Sequence, residues 1–111
     1  MTDESSSPSE ILAIGPIHIH RGEQRVLVAG SAIELTPTEY KLLLTLAERP
    51  GHVQARAHLL ETVWEAAPDI QTRTVDMHVQ RLRAKLGNAG TLIETVRGSG
   101  YRIRADPAGV T

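Results

Sequence analysis

Seven basic side chains crowd the last third of this chain: Arg73, Arg81, Arg83, Lys85, Arg97, Arg102 and Arg104. Only Asp76 and Glu94 oppose them between residues 71 and 104, so this segment has a surplus of five positive charges. The rest of the 111 residues is acidic, and the whole chain nets −1 at pH 7. Guanidinium groups in such number suit contacts to anions, above all to phosphate oxygens, which they bind through forked hydrogen bonds. Charge separated in this way points to a basic face on an acidic body, with an ordinary solvated surface as the alternative. Other chemistries find little support. There is no Gly-x-Ser-x-Gly, no phosphate-cradling loop and no paired-carboxylate motif, so no catalytic residue is assigned and an enzyme is not expected. His18 and His20 share one strand face, but no third ligand of matching spacing accompanies them, so neither a metal nor a cofactor is expected. Cysteine is absent, which removes disulfides and thiolate ligands and fits a reducing compartment such as the cytoplasm. Tyr40, Trp64 and Tyr101 are the only aromatics, too few for a base-stacking platform.

The elements that hold these cations follow from pattern. With 41% hydrophobic and 23% charged residues, the composition is that of one globular domain. No stretch approaches 18 consecutive apolar residues, so no membrane span is expected. Residues 1–10 are Ser-rich and acidic without an apolar core, which reads as a flexible leader rather than a secretory signal. The domain is expected over residues 11–105, with a flexible tail over 106–111. From Ile11 the chain becomes strand-like, with alternating runs at 17–20 and 32–35 and a β-branched, apolar run at 25–29, separated by turn residues, an antiparallel meander. At Thr36-Pro37-Thr38-Glu39 the period changes, because an N-cap hydroxyl, a proline at the first helical position and a glutamate three residues on make a capping box. The helix it starts carries the apolar run Tyr40, Leu42, Leu43, Leu44, Leu46 and Ala47 and stops at Pro50-Gly51, so burial on more than one side is expected. A second helix fits residues 56–65, and a third runs from about 72 to 86 with Gly87 beyond its end. A short loop, Asn88-Ala89-Gly90, then leads to a hairpin of residues 93–96 and 101–104 around Arg97-Gly98-Ser99-Gly100.

The third helix sorts its side chains sharply. With Arg73 at 0° and 100° per residue, Val75, Val79, Leu82 and Leu86 fall between about 180° and 240°, a single core-facing stripe. Opposite lie Arg73, Thr74, Met77, Gln80, Arg81 and Ala84, while Arg83 and Lys85 flank that face at about 280° and 120°. The major groove of DNA suits this arrangement. Arg and Gln can read base edges, Met can touch a thymine methyl, and flanking cations can meet the phosphate walls. A salt-bridged surface helix is the alternative, and Asp76 is the only acid on the helix to support it. In the hairpin, Tyr101 and Ile103 alternate with Arg102 and Arg104, so apolar groups face inward and guanidiniums outward. Arg97 sits at the tip beside two glycines that permit close approach to another molecule, a position suited to a narrow minor groove.

Three stretches in this order resemble the winged helix-turn-helix effector domains of OmpR/PhoB-type response regulators. They are Leu35-Thr36-Pro37-Thr38-Glu39-Tyr40-Lys41-Leu42-Leu43, Arg73-Thr74-Val75-Asp76-Met77-His78-Val79-Gln80-Arg81-Leu82-Arg83 and Thr95-Val96-Arg97-Gly98-Ser99-Gly100-Tyr101-Arg102. The resemblance implies an α+β fold: an N-terminal four-stranded antiparallel sheet, three helices and a C-terminal β-hairpin wing. It implies double-stranded promoter DNA as ligand and transcription regulation as role. Carried over by position, Arg73, Thr74, Met77 and Arg81 would face the major groove. Trp64, His78, Gln80 and Arg83 would lie near phosphates, and Thr95 and Arg97 would belong to the wing contact. Base readout is an equally good use of the Gln80 amide, Trp64 has a place in the apolar stripe of the second helix, and His78 borders the buried stripe of the third. Lys85 and Arg102 are assigned to phosphates by their flanking positions. The loop at Pro68, Asp69 and Ile70 would by resemblance touch RNA polymerase, with Asp69 as a helix cap and Ile70 in the core as the alternative. The family also implies a receiver domain in the full-length protein, and the leader reads as an interdomain linker. A short helix and wing reach only a few base pairs, so binding to direct repeats is expected, monomeric in isolation and head to tail on DNA. A winged helix that binds protein instead is the chief rival, and the basic segment argues against it.

Overall fold

The computed structural model describes residues 11–65 and 71–104. Four short strands open it: β1 (Ile11–Ile14), β2 (Ile17–His20), β3 (Arg25–Val28) and β4 (Ser31–Ile33). They pair as an antiparallel meander in chain order. The register aligns Leu12, Ile19, Val26 and Ile33 in one row and Ala13, His18, Leu27 and Ala32 in the next. Side chains of successive residues point to opposite faces. Ile17, Ile19 and Val26 therefore reach the core while His18 and Ala32 are exposed. The turn between β3 and β4 has Ala29 at φ 51° and Gly30 at φ 86°, both left-handed as a two-residue hairpin turn needs. This takes Ala29 out of the strand to which its apolar character assigns it.

Helix α1 (Pro37–Ala47) begins at the expected capping box. The Glu39 N–H donates to Thr36 Oγ1 at 3.1 Å, and the Thr36 N–H donates to Glu39 Oε1 at 2.9 Å. Leu42, Leu43, Leu46 and Ala47 are fully buried, because α1 packs against α2 (Arg56–Trp64), α3 (Arg73–Leu86) and the last strand, Gly100–Ile103. This leucine-rich helix is thus the central element of the core. Val75, Val79, Leu82 and Leu86 all face that core, as their spacing requires. Each large aliphatic so buried contributes about 1.5–3 kcal/mol.

The chain after α3 departs from the expected loop. Residues Gly87–Leu92 form a 3₁₀ helix with Ala89, Gly90 and Leu92 buried. Gly90 lies so close to α3 that a Cβ would meet the Arg83 Cα at 3.0 Å. The tight turn lays β5 (Ile93–Val96) and β6 (Gly100–Ile103) back along the helix as a two-stranded hairpin. Gln54 then pairs with Tyr101 through two backbone hydrogen bonds, N–H to oxygen at 2.8 and 3.0 Å, adding a bridge on the outer side of β6. Here a local expectation is corrected: the close approach that Gly100 permits is to the chain's own Gln54-Ala55 backbone, not to another molecule. Of the two tip glycines only Gly98, where an added Cβ would meet nothing within 4 Å, leaves the tip open.

Candidate nucleic-acid interface

The outward face of α3 is the centre of the site. Arg73, Met77, Gln80 and Arg81 are exposed along it, Met77 at 47%, and Thr74 is half-buried at its edge. Such exposure of a methionine has a physical reason, since the opposite stripe alone saturates the core contact of the helix. Neither Arg73 nor Arg81 pairs with an acid among the described residues, and the same holds for Arg97 at the hairpin tip. Thr95 is also exposed, one strand position from the tip. A cleft of about 510 Å³ lies between Arg56 and Asp76 on one side and the tip half of the hairpin, residues 95–101, on the other.

The flanking cations have partners within the chain. Arg83 turns toward the hairpin, donating from Nε and Nη2 to the Ile93 carbonyl at 3.1 and 2.9 Å and from Nη2 to Thr95 Oγ1 at 2.7 Å. Lys85 donates to Glu39 Oε1 at 2.7 Å, reaching across to the start of α1. Burial of Glu39 opposes its ionisation, but the hydrogen bonds from Lys85 and from the Thr36 N–H outweigh it and hold the carboxyl below its usual range. Arg102 and Arg104 both donate to Glu94, at 2.9 and 2.8 Å. The Arg102 hydrogen bond leads the effects that lower the Glu94 pKa. Intramolecular acids and carbonyls thus meet the very side chains that the sequence places for phosphates.

Trp64 and His78 form one unit. Their rings meet edge to face with centroids 5.0 Å apart, and Trp64 also packs on the core. The His78 Nδ1–H donates to the Thr74 carbonyl at 2.9 Å, so the imidazole is oriented within its own helix. Both residues are half-buried and border the outward face of α3. Pro68, Asp69 and Ile70 lie outside the described residues.

Sequence reasoning missed a second unit. Asp76, read only as the lone acid of its helix, accepts from Tyr101 Oη at 2.6 Å through one oxygen and from Arg56 Nη1 at 2.8 Å through the other. Burial and the neighbouring carboxylate push the Tyr101 pKa up to about 12, so its hydroxyl stays a donor. Arg83 lies over the same ring, 5.8 Å from its centroid. Asp76 at the margin of the outward face of α3 and Tyr101 on the inward side of β6 were the available signals, but nothing local joins them.

A helix-turn-helix whose second helix carries the basic face, followed by a hairpin laid beside it, defines a winged helix-turn-helix domain. A family model for the C-terminal part of transcriptional regulatory proteins matches residues 30–103, and the chain belongs to this family, the OmpR/PhoB-type response-regulator domains. It is 43% identical over 103 residues to the transcriptional regulatory protein CseB of Streptomyces avermitilis, covering 93% of this chain and 43% of that protein. Identity to the response regulator ArlR of Staphylococcus aureus is 42% over 97 residues, covering 86% and 44%. Among solved structures, the Klebsiella pneumoniae RstA DNA-binding domain in complex with its RstA box aligns with a TM-score of 0.77 at 30% identity, over 86% of this chain and 97% of that one. The Thermotoga maritima OmpR/PhoB homologue DrrB gives 0.78 at 32% identity, over 86% and 45%. The chain spans less than half the length of the curated relatives it matches.

Proposed function

We propose that this domain binds double-stranded promoter DNA sequence-specifically and so regulates transcription, as the effector part of a longer response regulator. The observation that carries this reading is the exposure of Arg73 and Arg81 on the outward face of α3 and of Arg97 on the hairpin, none of them in an ion pair among the described residues. Arg73, Thr74, Met77, Gln80 and Arg81 read the major groove, while Arg97, with Thr95, reaches the minor groove. Trp64 and His78 line the flank toward the phosphates. Lys85 and Arg102 remain partly exposed within their ion pairs, at 40% and 42%, so a phosphate competes with Glu39 and Glu94 for them. Arg83 has instead a supporting role. The domain works without catalysis or cofactor, in the cytoplasm where a receiver domain and RNA polymerase are its partners, and pairs head to tail on direct repeats. RstA, solved with its DNA box, supports the choice of ligand.

Duplexes selected from a random pool, with binding followed against salt, test this. Log affinity should fall steeply with log salt for all duplexes, and the selected site should bind more tightly than random DNA. Arg81→Ala should cost about 1–3 kcal/mol at the selected site and relax preference at one base pair. Equal losses on selected and random DNA would assign Arg81 to phosphate, and absence of any salt slope would refute the proposal as a whole.

A further inference from the structure

Asp76 and Arg83 stand seven residues apart on α3, two turns of helix, on the same flank at about 300° and 280° of the projection. That flank is neither the core stripe nor the reading face. It is the side that meets the hairpin. Each residue grips a different strand: Arg83 holds β5 through the Ile93 carbonyl and Thr95, and Asp76 holds β6 through the Tyr101 hydroxyl. Asp76 also binds Arg56 at the first position of α2, so three elements converge on its carboxylate. Tyr101 lies between the two grips, its ring under Arg83 and its hydroxyl on Asp76.

We infer that Asp76, Tyr101 and Arg83 are positioning residues that fix the bearing of the hairpin on α3, so that Arg97 and the reading face engage DNA as one rigid unit. This rests on the DNA-binding reading above and specifies how its two contacts are coupled. Arg97 lies four residues beyond Ile93, roughly 13 Å along an extended strand. A tilt of about 10° at the base would move the tip by about 2 Å, enough to break a hydrogen bond whose useful range is a few tenths of an ångström. A rigid scaffold therefore decides whether a tip contact counts.

A double-mutant cycle on the selected duplex tests the coupling. Arg97→Ala should lower affinity about tenfold in the wild-type background and less than about twofold in Asp76→Ala, where the wing has lost its bearing. Tyr101→Phe removes only the hydroxyl that Asp76 accepts, keeps the ring in the core, and should weaken the Arg97 effect in the same direction. Asp76→Asn retains an acceptor for that hydroxyl and should restore part of the effect. Loss of stability alone would lower affinity in every background without changing the Arg97 ratio. If Asp76→Ala does not fold by circular dichroism, Tyr101→Phe and Asp76→Asn decide. A tenfold Arg97 penalty in all backgrounds overturns the inference while leaving DNA binding intact. No effect of Arg97→Ala in any background, with no preference of the wild type for the selected duplex, overturns both.

Discussion

Substituting Gly100 by alanine should be among the most damaging single changes in the hairpin. The backbone there has φ +145°, a conformation that side chains rarely adopt, and maintaining it with a Cβ costs about 1–3 kcal/mol. The added Cβ would also press on the Gln54 carbonyl and lie 2.9 Å from the Ala55 Cα. Relief requires the Gln54 segment to withdraw, which breaks the backbone hydrogen bonds of 2.8 and 3.0 Å that join it to Tyr101. At about 0.5–1.5 kcal/mol each, these add about 1–3 kcal/mol, for a total of about 2–6 kcal/mol. A small domain has only about 5–15 kcal/mol of stability, so the variant should be marginal. Gly98→Ala is the control, because φ is +78° there but nothing lies within 4 Å, leaving only the backbone cost of about 1–2 kcal/mol. Urea unfolding followed by Trp64 fluorescence measures both. Losses equal to within about 0.5 kcal/mol would show that the close approach to Gln54 carries no energetic weight and would refute the reasoning.

Two further outcomes concern charge. Glu94→Gln should release Arg102 and Arg104 from their shared carboxylate, tightening binding to random duplex DNA and steepening the log–log salt slope by as much as about 2; an unchanged slope would place both guanidiniums away from phosphates. The lowered pKa of Glu39 means that its ion pair stabilises the fold above the unfolded carboxyl value and ceases to do so as pH falls through the lower folded value. Urea midpoints between about pH 5 and pH 3 should therefore fall less for Glu39→Gln than for the wild type, and parallel curves would remove Glu39 from the acid response.

Much of this protein can be read locally, because helices and turns are set by residues a few positions apart. Thr36 and Glu39 cap α1 from three residues away, and the period of Val75, Val79, Leu82 and Leu86 alone turns Arg73, Met77 and Arg81 outward. The basic excess and the glycine-bearing hairpin are legible for the same reason. Partner choice is not. Glu39 finds Lys85 across 46 residues and Asp76 finds Tyr101 across 25, and a sequence with 12 basic and 13 acidic residues permits many other pairings. Arg83 looks from its helix like one more cation for phosphate, and it turns to the hairpin because the buried Gly90 turn carries the Ile93 carbonyl back to it. Hydrogen bonds act over about 3 Å, so only the packed fold, which brings distant segments to that range, decides which cations face outward and which hold the wing.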